Sequence, residues 1–226
     1  MSTEPRKKSR RAPNGARKQL ILDAATMLFS SRAYEDVSLD EICEQAGVIS
    51  HGLVAYHFNG KRGLYTEVLE RIWDDFLDYQ RPRPDELTME AQLRGLLRRH
   101  YEYIETDPQR WLNLFQSRAT HDEVHEIAEA AWSAAVGQIL DILQLERDQP
   151  PRLRAALRGF VGYTHELTLD WVKHRDLDHS DIAELSYDTL VENLRIGGKG
   201  RPDVAQTIAT LEGAPAPEVA AGRRSG

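Results

Sequence analysis

The sequence predicts an all-α protein in two parts: a small N-terminal three-helix domain and a larger helical C-terminal domain. Apolar residues recur at helical spacing along most of the 226 residues, and no stretch sustains the alternation of a strand. The charge is also divided. Residues 1–65 hold ten Lys/Arg and seven Asp/Glu, whereas the whole chain carries a net charge of −7. A basic end on an acidic body is the asymmetry expected when only one end meets phosphate.

Composition bounds the class. A hydrophobic fraction of 41% and a charged fraction of 29% describe an ordinary globular chain, long enough to bury a core. No run approaches the roughly 18 apolar residues of a membrane span. The start, MSTEPRKKSRR, lacks the apolar stretch of a signal peptide, so a cytoplasmic protein is expected. The single cysteine, Cys43, excludes an internal disulfide.

Residues 1–15 read as a disordered basic arm, with Arg6, Lys7, Lys8, Arg10 and Arg11 set among Pro5, Pro13 and Gly15. From Arg17, the set Ile21, Ala24, Ala25, Leu28 and Phe29 predicts an amphipathic helix. Ser38 is an N-cap candidate, and Glu41 stands where a capping-box partner belongs. Leu39, Ile42, Cys43 and Ala46 then share one face, and Gly47 suits the left-handed turn that ends a helix. Ser50 opens a second short segment with Leu53 and Val54, closing at Tyr56-His57-Phe58 and the turn Asn59-Gly60. Helices this short are not stable alone. Packed on the first helix, the pair makes residues 16–63 a helix-turn-helix DNA-binding domain.

Residues 64–196 read as the second domain. A helix runs through Leu64, Val68, Leu69, Ile72, Trp73 and Phe76 to about Tyr79 and links the two parts. Others follow over about Thr88–Glu105, from Pro108 through Trp111, Leu112, Leu114 and Phe115, over about Asp122–Leu145, and from Arg152 to about Trp171. Ser180 is read as the cap of a last helix carrying Ala183, Tyr187, Leu190 and Leu194. Residues 197–226, with six Gly and three Pro, read as a mostly disordered tail in which Asp203 to Leu211 has the makings of a short helix.

The run Ala46-Gly47-Val48, the segment Gly52-Leu53-Val54, then Tyr56-His57-Phe58, Lys61 and Gly63-Leu64 resemble the N-terminal domain of the tetracycline-repressor (TetR) family. The resemblance reaches back through the helix near Arg17–Ser31 and the Tyr34-x-x-x-Ser38 link. This chain departs in having one extra turn residue at Val48-Ile49, and Ala55 where many members carry an aromatic.

Within the helix pair, Ser38 offers a hydroxyl and helix N–H groups to a phosphate. Ser50 and His51 stand at the start of the recognition helix, where base edges are read, and Gly52 admits the backbone close to the groove. The resemblance implies that Tyr56 and His57 contact the backbone or bases flanking the site and that Lys61 contacts a phosphate. Phe58 reads as core.

The resemblance also implies effector sensing in the C-terminal helices. Trp111, Phe115, Trp132, Phe160, Tyr163 and Trp171 are candidate lining residues. The polar His100, Gln116, Thr164, His165 and Thr168 on apolar stretches are the better ligand clues, since buried polar groups need partners. In the resembled family the final helix pair forms a four-helix bundle with its mate. Phe160, Tyr163, Thr164, Leu190 and Leu194 are the interface candidates; burial inside one chain is the alternative.

His121 and His125 lie four apart and His165-Glu166 precedes Asp170, but a metal site needs three or four convergent ligands. No metal, cofactor or catalytic residue is expected. The reading is a homodimeric transcriptional regulator, a repressor on a palindromic double-stranded operator, released by a small, largely apolar effector. The alternatives are the same fold without a ligand, and an all-α enzyme using the C-terminal pocket, which leaves the basic N-terminus unexplained.

Overall fold

The computed structural model describes residues 14–48, 51–117 and 122–213, with side chains for 15–48, 51–112 and 125–213. The helices are α1 (Asn14–Ser31), α2 (Leu39–Gln45), α3 (His51–Phe58), α4 (Lys61–Tyr79), α5 (Met89–Thr106), α6 (Pro108–Ser117), α7 (Asp122–Ile142), α8 (Pro151–His174), α9 (His179–Gly197) and α10 (Pro202–Leu211). A single 3-10 turn, Tyr34–Asp36, joins α1 to α2. The described residues contain no strand, and none of their helices is long and apolar enough to cross a membrane.

The chain forms two compact units. The first holds the residues up to Ile72 together with Gln109–Ile127; the second holds Trp73–Pro108 and the residues from Ala128 onward. The division therefore falls within α4.

In the first unit α1 packs on α2 and α3. Ile21, Ala25, Phe29, Val37, Ile42, Val54, Leu64 and Val68 are buried, and Phe29, Tyr34 and Tyr65 stack around the turn. Gly47, at φ 64°, ends α2: its N–H donates to Glu44 O and that of Val48 to Cys43 O. Those two bonds satisfy carbonyls that the helix end would otherwise leave open. Gly63 is needed where α4 starts, because a Cβ there would lie 1.9 Å from the carbonyl oxygen of Phe58.

In the second unit α9 packs most extensively on α8 and α5, and α10 packs on α9 and α5. Arg99 on α5 is completely buried and donates to Glu86 Oε1 at 2.5 Å and to Gln80 O at 3.2 Å. The Glu86 carboxylate fits over α5 only because position 95 is glycine, where a Cβ would meet Glu86 Oε1 at 1.8 Å. Burial opposes the charge on Glu86, yet the hydrogen bonds from Arg99 and from the Arg83 N–H hold its carboxyl below the usual range. Removing one partner of such a pair leaves a buried charge uncompensated, at about 3–5 kcal/mol.

Some elements differ from the sequence expectation. α4 begins at Lys61 rather than Leu64, directly after the left-handed residues Asn59 and Gly60. α9 is capped by Asp178 rather than Ser180: the Asp178 carboxylate accepts the N–H groups of Ser180 and Asp181, both at 2.8 Å. α10 is a full helix whose Val204, Thr207, Ile208 and Leu211 are buried; residues 214–226 of the expected tail lie outside the described residues.

Candidate functional site

The first cluster of site candidates is built by α2, α3 and the start of α4. Ser38 caps α2: its hydroxyl accepts the Glu41 N–H at 3.2 Å and donates to Glu41 Oε2 at 2.9 Å, while its own N–H donates to the same oxygen at 2.8 Å. Arg32 donates to Glu41 Oε1 at 2.7 Å. Arg32 first, then the Ser38 bonds, hold the Glu41 carboxyl down at about 2. The Ser38 hydroxyl is thus engaged within the cap.

Helix α3 has two distinct faces. Val54 and Phe58 are buried against the core, whereas His51, Gly52, Ala55 and Tyr56 are exposed, Tyr56 at 71%. Nε2 of His51 lies 2.7 Å from Oδ1 of Asp40 on α2. Asp40 carries no signal in the sequence alone and gains its partner only when α2 and α3 are brought together. His57 is half-buried between Tyr56 and Phe58, with ring centroids at 4.9 and 6.0 Å. Its Nε2 is buried without a hydrogen-bond partner among the described residues. Lys61 is turned inward: Nζ donates to Tyr34 O at 2.6 Å and lies 4.2 Å above the Tyr34 ring. Burial pushes its pKa down, against the pull of Glu35, Asp36 and Glu41. Ser50 lies outside the described residues.

The second cluster lies in the second unit. Nε2 of His100 is 3.4 Å from Oγ1 of Thr168, which itself donates to Thr164 O at 2.7 Å. With the Thr168 proton directed to Thr164 O, the Thr168 oxygen is left free to accept a proton from His100 Nε2 in the tautomer that carries one there. Phe76 and Tyr101 flank the imidazole at 5.1 and 4.8 Å, and Trp171 packs on Tyr101 at 5.6 Å. Burial, and then nearby His165, push the His100 pKa down to about 4, so the ring is neutral near pH 7. Burial pushes the Tyr101 hydroxyl up to about 12, with Tyr163 adding to the shift, while Ser186 shares a 2.7 Å hydrogen bond with it. His165 faces Trp132 at 5.5 Å.

His100, Trp132, Tyr163, Thr164, His165, Thr168 and Trp171 thus belong to one helical body, with α8 supplying most of them. Trp111 is buried in the first unit, and the side chains of Phe115 and Gln116 lie outside the described residues. Of the interface candidates, Phe160, Thr164, Leu190 and Leu194 are already buried inside the single chain, and Tyr163 is half-buried. The exposed faces of the same helices carry Gly159 on α8 and Leu185 and Ile196 on α9. At both Gly159 and Gly162 an added Cβ would meet nothing within 4 Å.

Residues 21–68, which run from α1 through α3 into α4, match the family described as "Bacterial regulatory proteins, tetR family". This chain belongs to the TetR family. As a TetR-family protein it is a DNA-binding transcriptional regulator, and the family is not enzymatic. The likeness extends beyond the DNA-binding part. The HTH-type transcriptional activator FasR of Mycolicibacterium smegmatis is 26% identical over 182 residues, covering 79% of this chain and 83% of that protein. The crystal structure of a tetR-family regulator from Streptomyces coelicolor superposes with a TM-score of 0.74 at 23% identity, over 88% of this chain and 89% of the other. FadR of Bacillus subtilis, crystallised with stearoyl-CoA, has a TM-score of 0.57 at 18% identity, over 77% of this TetR-family chain and 98% of its own.

Proposed function

We propose that this TetR-family regulator binds a near-palindromic operator as a homodimer and leaves it when a largely apolar effector occupies the second unit. The observation that supports the DNA-reading half is the two-faced α3. Its core face is anchored by Val54 and Phe58, while His51, Gly52 and Tyr56 stand out on the opposite side. A short helix anchored by one face and exposed on the other is what major-groove reading requires. Residues 16–63 are taken as the DNA-binding domain and 64–196 as the effector and dimerisation domain. Because the face of Phe160, Leu190 and Leu194 is filled from within the chain, the dimer is assigned to the outer face of α8 and α9, at Gly159, Gly162, Leu185 and Ile196.

The effector half is supported by the neutral His100 beside Thr168 in an aromatic surround: a few polar groups in an apolar setting fix a ligand's orientation. Stearoyl-CoA, bound by FadR of Bacillus subtilis, makes long-chain acyl compounds the first to try. Repression is the proposed sign, although FasR is an activator.

A ligand shifts the equilibrium only by its differential affinity for the two states. A coupling of about 1–3 kcal/mol changes operator affinity about 5–150-fold, and by linkage the operator weakens the ligand equally. Fluorescence anisotropy with the duplex upstream of the protein's own gene, with and without long-chain acyl compounds, tests this. A compound that binds with equal affinity in the presence and absence of operator is a pocket occupant and no effector.

A further inference from the structure

A groove of about 440 Å³ between α7 and α8 is lined by Arg147, Arg154 and Arg158, with Glu129 the one carboxylate among the described residues of its wall. The rest of the wall is largely apolar, including Val136, Leu140 and Ala155. Two of the three guanidiniums are held in place. Arg147 chelates Asp141, at 2.5 and 3.2 Å, and rests on Gly137, where a Cβ would meet its Nη1 at 2.6 Å. Arg158 pairs with Glu129 and lies 4.4 Å over the ring of Trp132. Arg154 is exposed, and no carboxylate of the described residues pairs with it.

Trp132 joins this groove to the interior. Arg158 covers its ring, and His165 packs against the same ring at 5.5 Å. Along α8, Arg154, Arg158, His165 and Thr168 follow at helical spacing, so one side of the helix grades from guanidinium to imidazole to hydroxyl. His165 in turn stands close enough to His100 to influence its ionisation. A charged groove that leads onto the aromatic face of Trp132 matches an amphiphile. Guanidinium forks one turn apart suit phosphate oxygens, which they bind in bidentate fashion.

We propose that the arginine groove receives the phosphate-bearing head of an amphiphilic ligand whose apolar part lies against Trp132 and the His100 cluster. This rests on the effector reading above and adds the chemical class of the ligand. Phosphorylated amphiphiles occur both as acyl thioesters of a nucleotide carrier and as prenyl diphosphates, so the test includes each.

Palmitoyl-CoA, farnesyl diphosphate and uncharged methyl palmitate are titrated into the full chain, into Arg154→Ala and into Thr168→Val, with thermal unfolding as the check on folding. Arg154→Ala is expected to weaken at least one phosphorylated probe about tenfold and methyl palmitate by less than about twofold. Binding of the phosphorylated probe should also fall more steeply with salt. Arg154→Glu, which reverses the charge, should weaken it further. Equal losses for charged and uncharged probes, or no loss, overturn the head-group site. If methyl palmitate binds the wild type and neither phosphorylated probe does, the groove proposal falls and the effector reading above stands. If a phosphorylated probe depends on Arg154 but is indifferent to Thr168→Val, the groove stands and the interior reading fails. Binding of no probe overturns both.

Discussion

The ammonium of Lys61 donates to the carbonyl of Tyr34 at 2.6 Å and lies 4.2 Å above the ring of the same residue. This contact ties the first turn of α4 to the 3-10 turn between α1 and α2. It gives Lys61 a structural task at a position where the family resemblance implies a phosphate contact.

Lys61→Met is therefore expected to cost about 1–2 kcal/mol of stability, the combined loss of a charge-assisted hydrogen bond and a cation–π contact. The salt slope of operator binding should be unchanged. Urea unfolding and binding at several salt concentrations check this together. A slope reduced by about one phosphate shows instead that Lys61 leaves Tyr34 for the DNA.

His100 makes stability depend on pH. In the unfolded chain it takes up a proton as pH falls through 6.5, whereas in the fold it resists until about 4. A histidine with a lowered folded pKa favours the fold fully above 6.5, and that contribution drains away between 6.5 and about 4. Between about pH 7.5 and about pH 5 the loss should be about 2 kcal/mol. Urea unfolding of wild type and His100→Phe at both pH values should show this slope in the wild type and its reduction in the variant.

Two backbone positions give opposite effects. Gln144 ends α7 with φ at 54°, a conformation that costs a non-glycine residue about 1 kcal/mol, so Gln144→Gly should stabilise by that amount. Gly63→Ala should cost about 1–3 kcal/mol, because the new methyl is driven into the Phe58 carbonyl, and operator affinity should fall with it. Chemical denaturation measures both.

Leu185 and Ile196 are 42% and 60% exposed on α9. Leu185→Glu with Ile196→Glu should yield a folded monomer in sedimentation analysis, with operator affinity lost because half-sites are no longer linked. A double variant that remains dimeric moves the interface elsewhere.

Much of the fold was legible because local rules decided it. The all-α class followed from spacing, the Ser38–Glu41 box from two residues three apart, and the α2 stop from Gly47. What sequence could not decide was competition between local options and long-range partners. Asp178 displaces Ser180 as a cap because its carboxylate reaches two N–H groups at once. α10 forms in a Gly- and Pro-rich stretch because α9 and α5 offer its apolar side a surface. Periodicity cannot say which neighbours fill the apolar faces of Phe160, Leu190 and Leu194, which are buried within the single chain. The Asp40–His51 pair and the arginine groove required the tertiary arrangement, although Arg154, Arg158, His165 and Thr168 share one side of a helix in the sequence itself.

Base-edge reading by α3 can be checked by selection from a random duplex library. Wild-type protein should enrich a near-palindrome with half-site centres about one helical turn, or a multiple of it, apart. His51→Ala should lose preference at one position in each half-site, worth about 1–3 kcal/mol if the contact is direct, while the other positions persist. An unenriched library, or a selected sequence indistinguishable between wild type and His51→Ala, would rule out base reading through His51 of α3.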